Sequence, residues 1–266
     1  MKTTKSQSIS LDTIVHADAV DFCNSLPSAS VDLMFTSPPY LGVKFWADRG
    51  LSGEDICSTI INLCCALADK IKPGGYVVWN IGDIPGGNDG LNSLLWHVEE
   101  AMLWDNFTLR GHVIWAKGVT GPLPPPCFMR RPCIPHLTHE DILIFVKGDW
   151  KAREPKITLE PEEKQWLANS VWSIPAATST NIKDGRAKRK LTMPFPVALA
   201  ERVVRLFSLP GDVVLDPFMG CGTTAVAAKW YGRHYIGCDI DPDCVKYAND
   251  ELSRVELKSW LKETKP

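Results

Sequence analysis

The sequence predicts an α/β protein: a mostly parallel, Rossmann-like sheet with helices on both faces and a small appended region. Two observations predict it. Segments rich in β-branched and apolar residues alternate with helix-like segments along most of the chain. Near the C-terminal end, Val213 to Ala228 (VVLDPFMGCGTTAVAA) places a strand, a glycine-rich turn and a small-residue helix in immediate succession.

The elements follow in chain order. Thr13 to Val15 reads as a short strand and Asp18 to Leu26 as a helix. Val31 to Thr36 (VDLMFT) is a buried strand ended by Pro38, because proline cannot continue a ladder. Ile56 to Lys70 reads as a helix closed by Pro73-Gly74-Gly75, with Tyr76 to Ile81 (YVVWNI) as the next strand. A helix around Leu91 to Trp104 and a strand at Thr108 to Trp115 continue the rhythm. From Gly118 to Pro135 prolines and glycines defeat any period, so a long loop is expected there, and long ordered loops are usually functional. Asp141 to Val146 (DILIFV) returns as a strand. A helix at Pro196 to Phe207, a strand at Val213 to Leu215, a helix at Thr223 to Trp230, a strand at Tyr235 to Cys238 and a helix at Pro242 to Leu257 complete the pattern. Residues 149–192 are polar and weakly periodic, which divides the chain into 1–148, a variable region 149–192, and 193–266.

At 266 residues, 45% hydrophobic and 23% charged, the chain is long enough for one sizeable core. It lacks an apolar stretch of about 18 residues, so a cytoplasmic protein without a membrane span is expected. The nine cysteines sit in apolar segments, as at Cys64, Cys65 and Cys238, and disulfides are not expected. Cys127 and Cys133 have no second pair to complete a tetrahedral site, so no metal is expected either. A net charge of −2 argues against non-specific coating of nucleic acid, yet the cations are uneven. Between Asn106 and His139 the only formal charges are Arg110, Lys117, Arg130 and Arg131, and a second cluster holds Lys183, Arg186, Lys188, Arg189 and Lys190. Such patches track phosphates or form solvated surface runs.

Two motifs carry chemistry. Gly220 and Gly222 let a ligand approach the backbone closely, while Asp216 at the strand end would repel a pyrophosphate and attract an ammonium or sulfonium. Asp239 ends the following strand, where an acid typically accepts from ribose hydroxyls. Together they imply an adenosyl ligand without phosphates. The second motif is Ser37-Pro38-Pro39-Tyr40 at the end of a buried strand. The prolines hold the chain rigid and leave carbonyls facing outward, so the Ser37 hydroxyl and the Ser37 or Pro38 carbonyl suit the hydrogens of an amine. Tyr40 offers a face for stacking. Gripping both hydrogens of an exocyclic amine frees its delocalised lone pair for in-line attack on a sulfonium methyl, and a duplex base must flip out to reach the site.

Ser37-Pro38-Pro39-Tyr40 and Asp216-Pro217-Phe218-x-Gly220-x-Gly222-Thr223-Thr224, in that order, resemble the β group of DNA amino-methyltransferases over most of the chain. The resemblance implies S-adenosyl-L-methionine as cofactor and double-stranded DNA as partner, with a cognate restriction endonuclease as a further candidate and a monomeric or homodimeric state. It implies that Asp18, in His16-Ala17-Asp18, contacts the adenine amine, that Phe195 and Pro196 line the methionine end, and that Asp239 takes the ribose. Met193 stands where relatives often carry histidine, and Cys221 where serine is common. Serine at the first motif position goes mainly with N4 of cytosine, and aspartate or asparagine with N6 of adenine, so N4-cytosine is expected with N6-adenine as the alternative.

Three rivals differ in recognisable ways. A C5-cytosine enzyme would share the Phe218 to Gly222 turn, but neither Cys127 nor Cys133 lies in the Pro-Cys-Gln setting its nucleophile needs. A methyltransferase acting on RNA or on a protein amide is the second rival, but amide enzymes place their proline-proline-tyrosine after the cofactor motif, whereas here it comes first. A catalytically silent DNA-binding subunit would be expected to lose one of the two motifs. Asn80 and Asp83 end a central strand, where they line the pocket or cap the strand, and His136 and His139 are expected to pack rather than to react.

Overall fold

The structure, a computed structural model, describes residues 10–41, 50–85, 91–118, 137–149, 151, 159–177 and 194–257. Ten strands and seven α-helices are found among them, in the order β1 (Thr13–His16), α1 (Ala19–Ser25), β2 (Val31–Thr36), α2 (Gly53–Leu67), β3 (Ile71–Ile81), β4 (Ile84–Pro85), β5 (Leu91–Asn92), α3 (Leu95–Trp104), β6 (Phe107–Ala116), β7 (His139–Lys147), α4 (Pro161–Leu167), β8 (Val171–Ser173), α5 (Val197–Phe207), β9 (Val213–Asp216), α6 (Thr223–Trp230), β10 (His234–Asp239) and α7 (Pro242–Leu252).

Eight strands form one sheet in the order β1-β10-β9-β2-β3-β7-β6-β8, and β4 pairs with β5 in a small hairpin. Every neighbouring pair in the large sheet is parallel except those made by β7, which runs antiparallel to β3 and β6. The mostly parallel expectation therefore holds, with one reversed strand. Side chains of β2 alternate between two cores. Leu33 and Phe35 join Leu199, Val203 and Ala225 from α5 and α6 on one face. Met34 joins Ile60, Leu63 and Leu67 from α2 on the other. Helices thus cover both faces, and the polar ends of the central strands are what remains open.

Several boundaries differ from the sequence expectation for local reasons. Helix α2 begins at Gly53 because Ser52 caps it: the Ser52 side chain accepts from the Asp55 amide, and the Asp55 carboxylate accepts from the Ser52 amide. Pro73-Gly74-Gly75 does not close that helix but bulges out of β3, whose pairing jumps from Ile71 opposite Val31 to Tyr76 opposite Leu33. Gly74 adopts φ 74° there, and a Cβ on Gly75 would sit 2.8 Å from Ile71 and 3.0 Å from the Asp32 carbonyl. Helix α3 starts at Leu95 rather than Leu91 because Leu91 and Asn92 are spent on the hairpin. Helix α7 stops at Leu252, five residues short of the expected Leu257.

The region 149–192 is partly built into the main sheet. Strand β8 extends the edge beyond β6, Trp172 is fully buried, and its indole donates to the Trp166 carbonyl at 2.9 Å. Helix α4 is tied to α5 by Arg205, whose Nε donates to Glu163 Oε1 at 2.7 Å and whose guanidinium lies 4.7 Å from the Trp166 ring centre. Sequence period missed this because α4 and β8 are each too short to show one.

Candidate active site

Four adjacent parallel strands deliver their carboxyl ends to one rim, where ligands of open α/β sheets bind. Along β1, β10, β9 and β2 they present, in that order, Asp18, Asp239, Asp216 and Ser37. Asp18 caps α1, its Oδ1 accepting from the amides of Val20 and Asp21 at 2.8 and 3.1 Å. Asp239 accepts from the Gly220 amide at 2.8 Å and from the Asp241 amide at 2.8 Å, which ties the glycine turn to the end of β10. Burial raises the Asp239 carboxyl above the ordinary carboxylate range. Gly220 and Gly222 both have positive φ, 53° and 84°, which non-glycine residues rarely adopt, so the turn depends on them.

Asp216 differs from the sequence expectation in how it acts. It is 1% exposed, and both oxygens are occupied: Oδ1 by the Thr36 hydroxyl at 2.6 Å and the Phe218 amide at 3.1 Å, Oδ2 by the Thr224 hydroxyl at 2.6 Å. Its charge faces the rim only through these groups. Burial pushes its carboxyl up to about 6 in spite of three donors. Pro217 contributes its carbonyl to the Cys238 thiol at 3.3 Å, and Thr223 opens α6 directly behind Gly222. Phe195 packs on Phe35 of β2 with ring centres 5.0 Å apart, immediately before Pro196 caps α5.

The second half of the site is a polar cluster around the Tyr40 hydroxyl. Ser37 Oγ lies 2.6 Å away, Glu140 Oε2 2.9 Å and Asn80 Nδ2 3.0 Å. Asn80 Nδ2 also donates to Glu140 Oε2 at 2.5 Å, and Lys117 Nζ is 2.5 Å from Glu140 Oε1. Burial, followed by the charge of Glu140, raises the Tyr40 phenol well above its ordinary value, so it stays protonated and donates. Gly82 makes room for the ring: a Cβ there would stand 2.5 Å from Tyr40 Cε2 and 3.2 Å from the Glu140 carboxyl carbon. Pro38 and Pro39 carry the chain from the fully buried Thr36 to Tyr40.

The chain that builds this rim is similar to known proteins. The model of a DNA methylase family, N6_N4_Mtase, matches residues 31–250. A type II methyltransferase of Methanothermobacter thermautotrophicus, M.MthZI, is 32% identical over 82% of this chain and 70% of its own length.

The chain belongs to the N6/N4 DNA methylase family.

M.XycI, a type II methyltransferase of Xanthomonas campestris pv. cyanopsidis, is 27% identical over 90% of the methylase described here and 87% of its own length. A Thermus thermophilus protein described as a DNA modification methylase, solved with S-adenosyl-L-methionine, superposes with a TM-score of 0.71 at 27% identity, covering 91% of this chain and 93% of that one. The PvuII DNA methyltransferase shares the fold, with a TM-score of 0.71 at 21% identity over 89% of this chain and 86% of that one. S-adenosyl-L-methionine is accordingly the methyl donor, and the rim suits it: its hydroxyls, ammonium and sulfonium match carboxylates that would repel phosphates.

Of the methylase's sequence-predicted residues, the structure brings Asp18, Asp216, Asp239 and the Ser37 to Tyr40 segment to one edge of the sheet. Arg130, Arg131, Lys183, Arg186, Lys188, Arg189 and Lys190 lie outside the described residues, as do Cys127, Cys133 and His136. His139 is exposed at the start of β7. Asn80 stands inside the cluster, while Glu140 and Lys117 were not singled out as site residues. Lys117 belongs to the run of cations in 106–139, but its charge is engaged by Glu140. The one local signal for Glu140 was its place at the head of DILIFV, an acid entering a buried strand. Among the described residues no helix is long and apolar enough to cross a membrane.

Proposed function

We propose that the methylase transfers a methyl group from S-adenosyl-L-methionine directly to the exocyclic N4 amine of a cytosine flipped out of double-stranded DNA. The observation that supports this most is the Ser37 hydroxyl at the end of β2, beside β9 and its cofactor turn and within 2.6 Å of the Tyr40 hydroxyl. In this reading Ser37 Oγ and the Ser37 or Pro38 carbonyl accept the two amine hydrogens, and the rigid prolines hold those acceptors in place. The nitrogen becomes pyramidal and regains its lone pair. Tyr40, fixed at its hydroxyl end, stacks on the flipped base. The cofactor, when bound, supplies an electrophilic methyl on a sulfonium. Asp18 takes its adenine amine and Asp239 its ribose. Phe195 and Pro196 line its methionine end. Pro217, Phe218, Gly220, Gly222, Thr223 and Thr224 shape the turn against it, and Asp216 holds that turn through Thr224.

Serine at the first motif position favours cytosine N4 through the family resemblance; N6 of adenine is the second reading, since a hydroxyl accepts from either amine. Arg130 and Arg131, with Lys183, Arg186, Lys188, Arg189 and Lys190, are assigned to DNA phosphates, and target reading to the loop 118–135 and the variable region. Sequencing DNA from cells that express the methylase, with detection separating N4-methylcytosine from N6-methyladenine, tests the reading. N4-methylcytosine at one defined sequence, absent with Ser37→Ala, is the expected result; N6-methyladenine would overturn the cytosine assignment.

A further inference from the structure

The cluster around Tyr40 has a direction, and chemistry fixes it. A carboxylate only accepts hydrogen bonds, and Glu140 sits 2.5 Å from the Lys117 ammonium as its ion-pair partner. The Tyr40 hydroxyl has one proton, and it goes to Glu140 Oε2 at 2.9 Å. At the 2.6 Å contact between Ser37 and Tyr40, the phenol oxygen is therefore the acceptor and the Ser37 hydroxyl the donor. Asn80 reinforces the direction, since its Nδ2 faces acceptors throughout: Glu140 Oε2, the Tyr40 oxygen and, at 3.4 Å, Ser37 Oγ. Ser37 is left with its proton committed, so its oxygen can only accept; one lone pair faces the Asn80 amide at 3.4 Å and the other is open to a donor.

We infer that Glu140, held by Lys117, is a positioning residue that acts through Tyr40 to keep Ser37 Oγ an obligate acceptor, so that the site takes a base carrying an amino group and refuses its keto counterpart. An amine donates to that oxygen. A carbonyl presents only lone pairs to it, and gains a partner only if Ser37 gives up Tyr40. The inference rests on the reading of Ser37 as the group that grips the target amine. It adds the residue, 103 positions further along the chain, that decides which way the hydroxyl points.

The test compares the wild type, Glu140→Gln, Tyr40→Phe, the double variant and Ser37→Ala. Each is assayed on duplexes carrying the mapped target base or its deaminated form, uracil for cytosine or hypoxanthine for adenine. A glutamine amide donates as well as accepts, so the chain can run either way; a phenylalanine removes the middle link while keeping the ring. Either change should lower kcat by about tenfold to a hundredfold and cut the binding preference for the amino base over the keto base about tenfold, with cofactor affinity unchanged. Because both act on one chain, the double variant should be no worse than Tyr40→Phe alone. Retention of kcat and preference in Glu140→Gln, or losses that multiply in the double variant, would overturn the inference. If Glu140→Gln does not fold, Tyr40→Phe decides alone, since it leaves the Glu140 to Lys117 pair in place; an unchanged base preference then overturns it. A fully active Ser37→Ala would instead overturn the reading of Ser37 on which the inference stands.

Discussion

The Thr36 hydroxyl donates to Asp216 Oδ1 over 2.6 Å, and so links the residue before Ser37 to the carboxylate that ends β9. Thr224 donates to the other oxygen of the same carboxylate at 2.6 Å. One buried group therefore couples the strand that leads into Ser37, the proposed acceptor for the amine, to the helix behind the glycine turn. Replacing Thr36 with valine keeps the shape and removes a donor from a buried carboxylate. Unfolding in urea should show a loss of about 1 to 3 kcal/mol, and an unchanged midpoint would refute the coupling.

Asp216 also makes stability depend on pH. Its carboxyl is pushed up to about 6 in the folded protein from 3.8 when unperturbed, so the folded state holds this proton more tightly than the unfolded chain. The contribution is complete below about pH 4 and is lost as pH rises through about 6. The stability of the wild type relative to Asp216→Asn should therefore fall by up to about 3 kcal/mol between pH 4 and 7. Denaturant titrations of the ligand-free protein at a series of pH values check the sign; a rising difference would contradict it.

Gly82→Ala probes the space beside Tyr40. Its Cβ would meet the ring at 2.5 Å, so the ring, held at its hydroxyl by Asn80 and Glu140, must shift. We expect kcat to drop at least tenfold, by displacement of the Tyr40 hydroxyl from Ser37, with S-adenosyl-L-methionine affinity unchanged by calorimetry. Equal damage to cofactor binding would mean that the two halves of the site move together.

Asp239→Ala removes an acceptor for the Gly220 amide as well as the carboxylate proposed for the ribose. Cofactor affinity should weaken by about 1 to 3 kcal/mol, measured calorimetrically. Asp239→Asn keeps an acceptor for the turn and should recover part of that loss. Identical losses in the two variants would show that charge, rather than the tie to the turn, is what matters.

Charge removal in the two basic clusters tests the DNA assignment. Substituting Arg130 and Arg131 with alanine, and separately the run from Lys183 to Lys190, should weaken binding to all sequences and flatten the dependence of log affinity on log salt. An unaltered salt slope in both variants would place the phosphate contacts elsewhere.

The glycine turn assigned to the cofactor was legible from sequence because it is a local object. Asp216, Gly220, Gly222 and Thr224 lie within nine positions of one another, and positive φ at the two glycines is a demand that residue type alone reveals. The Ser37 to Tyr40 segment was legible for the same reason, since proline restricts its own backbone whatever surrounds it. The alternation of apolar strands and helices likewise announced a mostly parallel sheet, because burial on both faces shapes each strand's composition. Which strands become neighbours is another matter. That β9 lies against β2, and that β7 runs antiparallel beside β3, is set by packing among elements far apart in the chain, and no residue period encodes it. Only this arrangement brings Thr36 to Asp216 and places Asn80, Glu140 and Lys117 around Tyr40. The sequence by itself determined the two motifs to which the chemistry is assigned, because they carry their geometry in their own backbone. The tertiary structure decided which way the Ser37 hydroxyl points, because a hydroxyl's direction depends on the acceptor that the sheet order sets beside it.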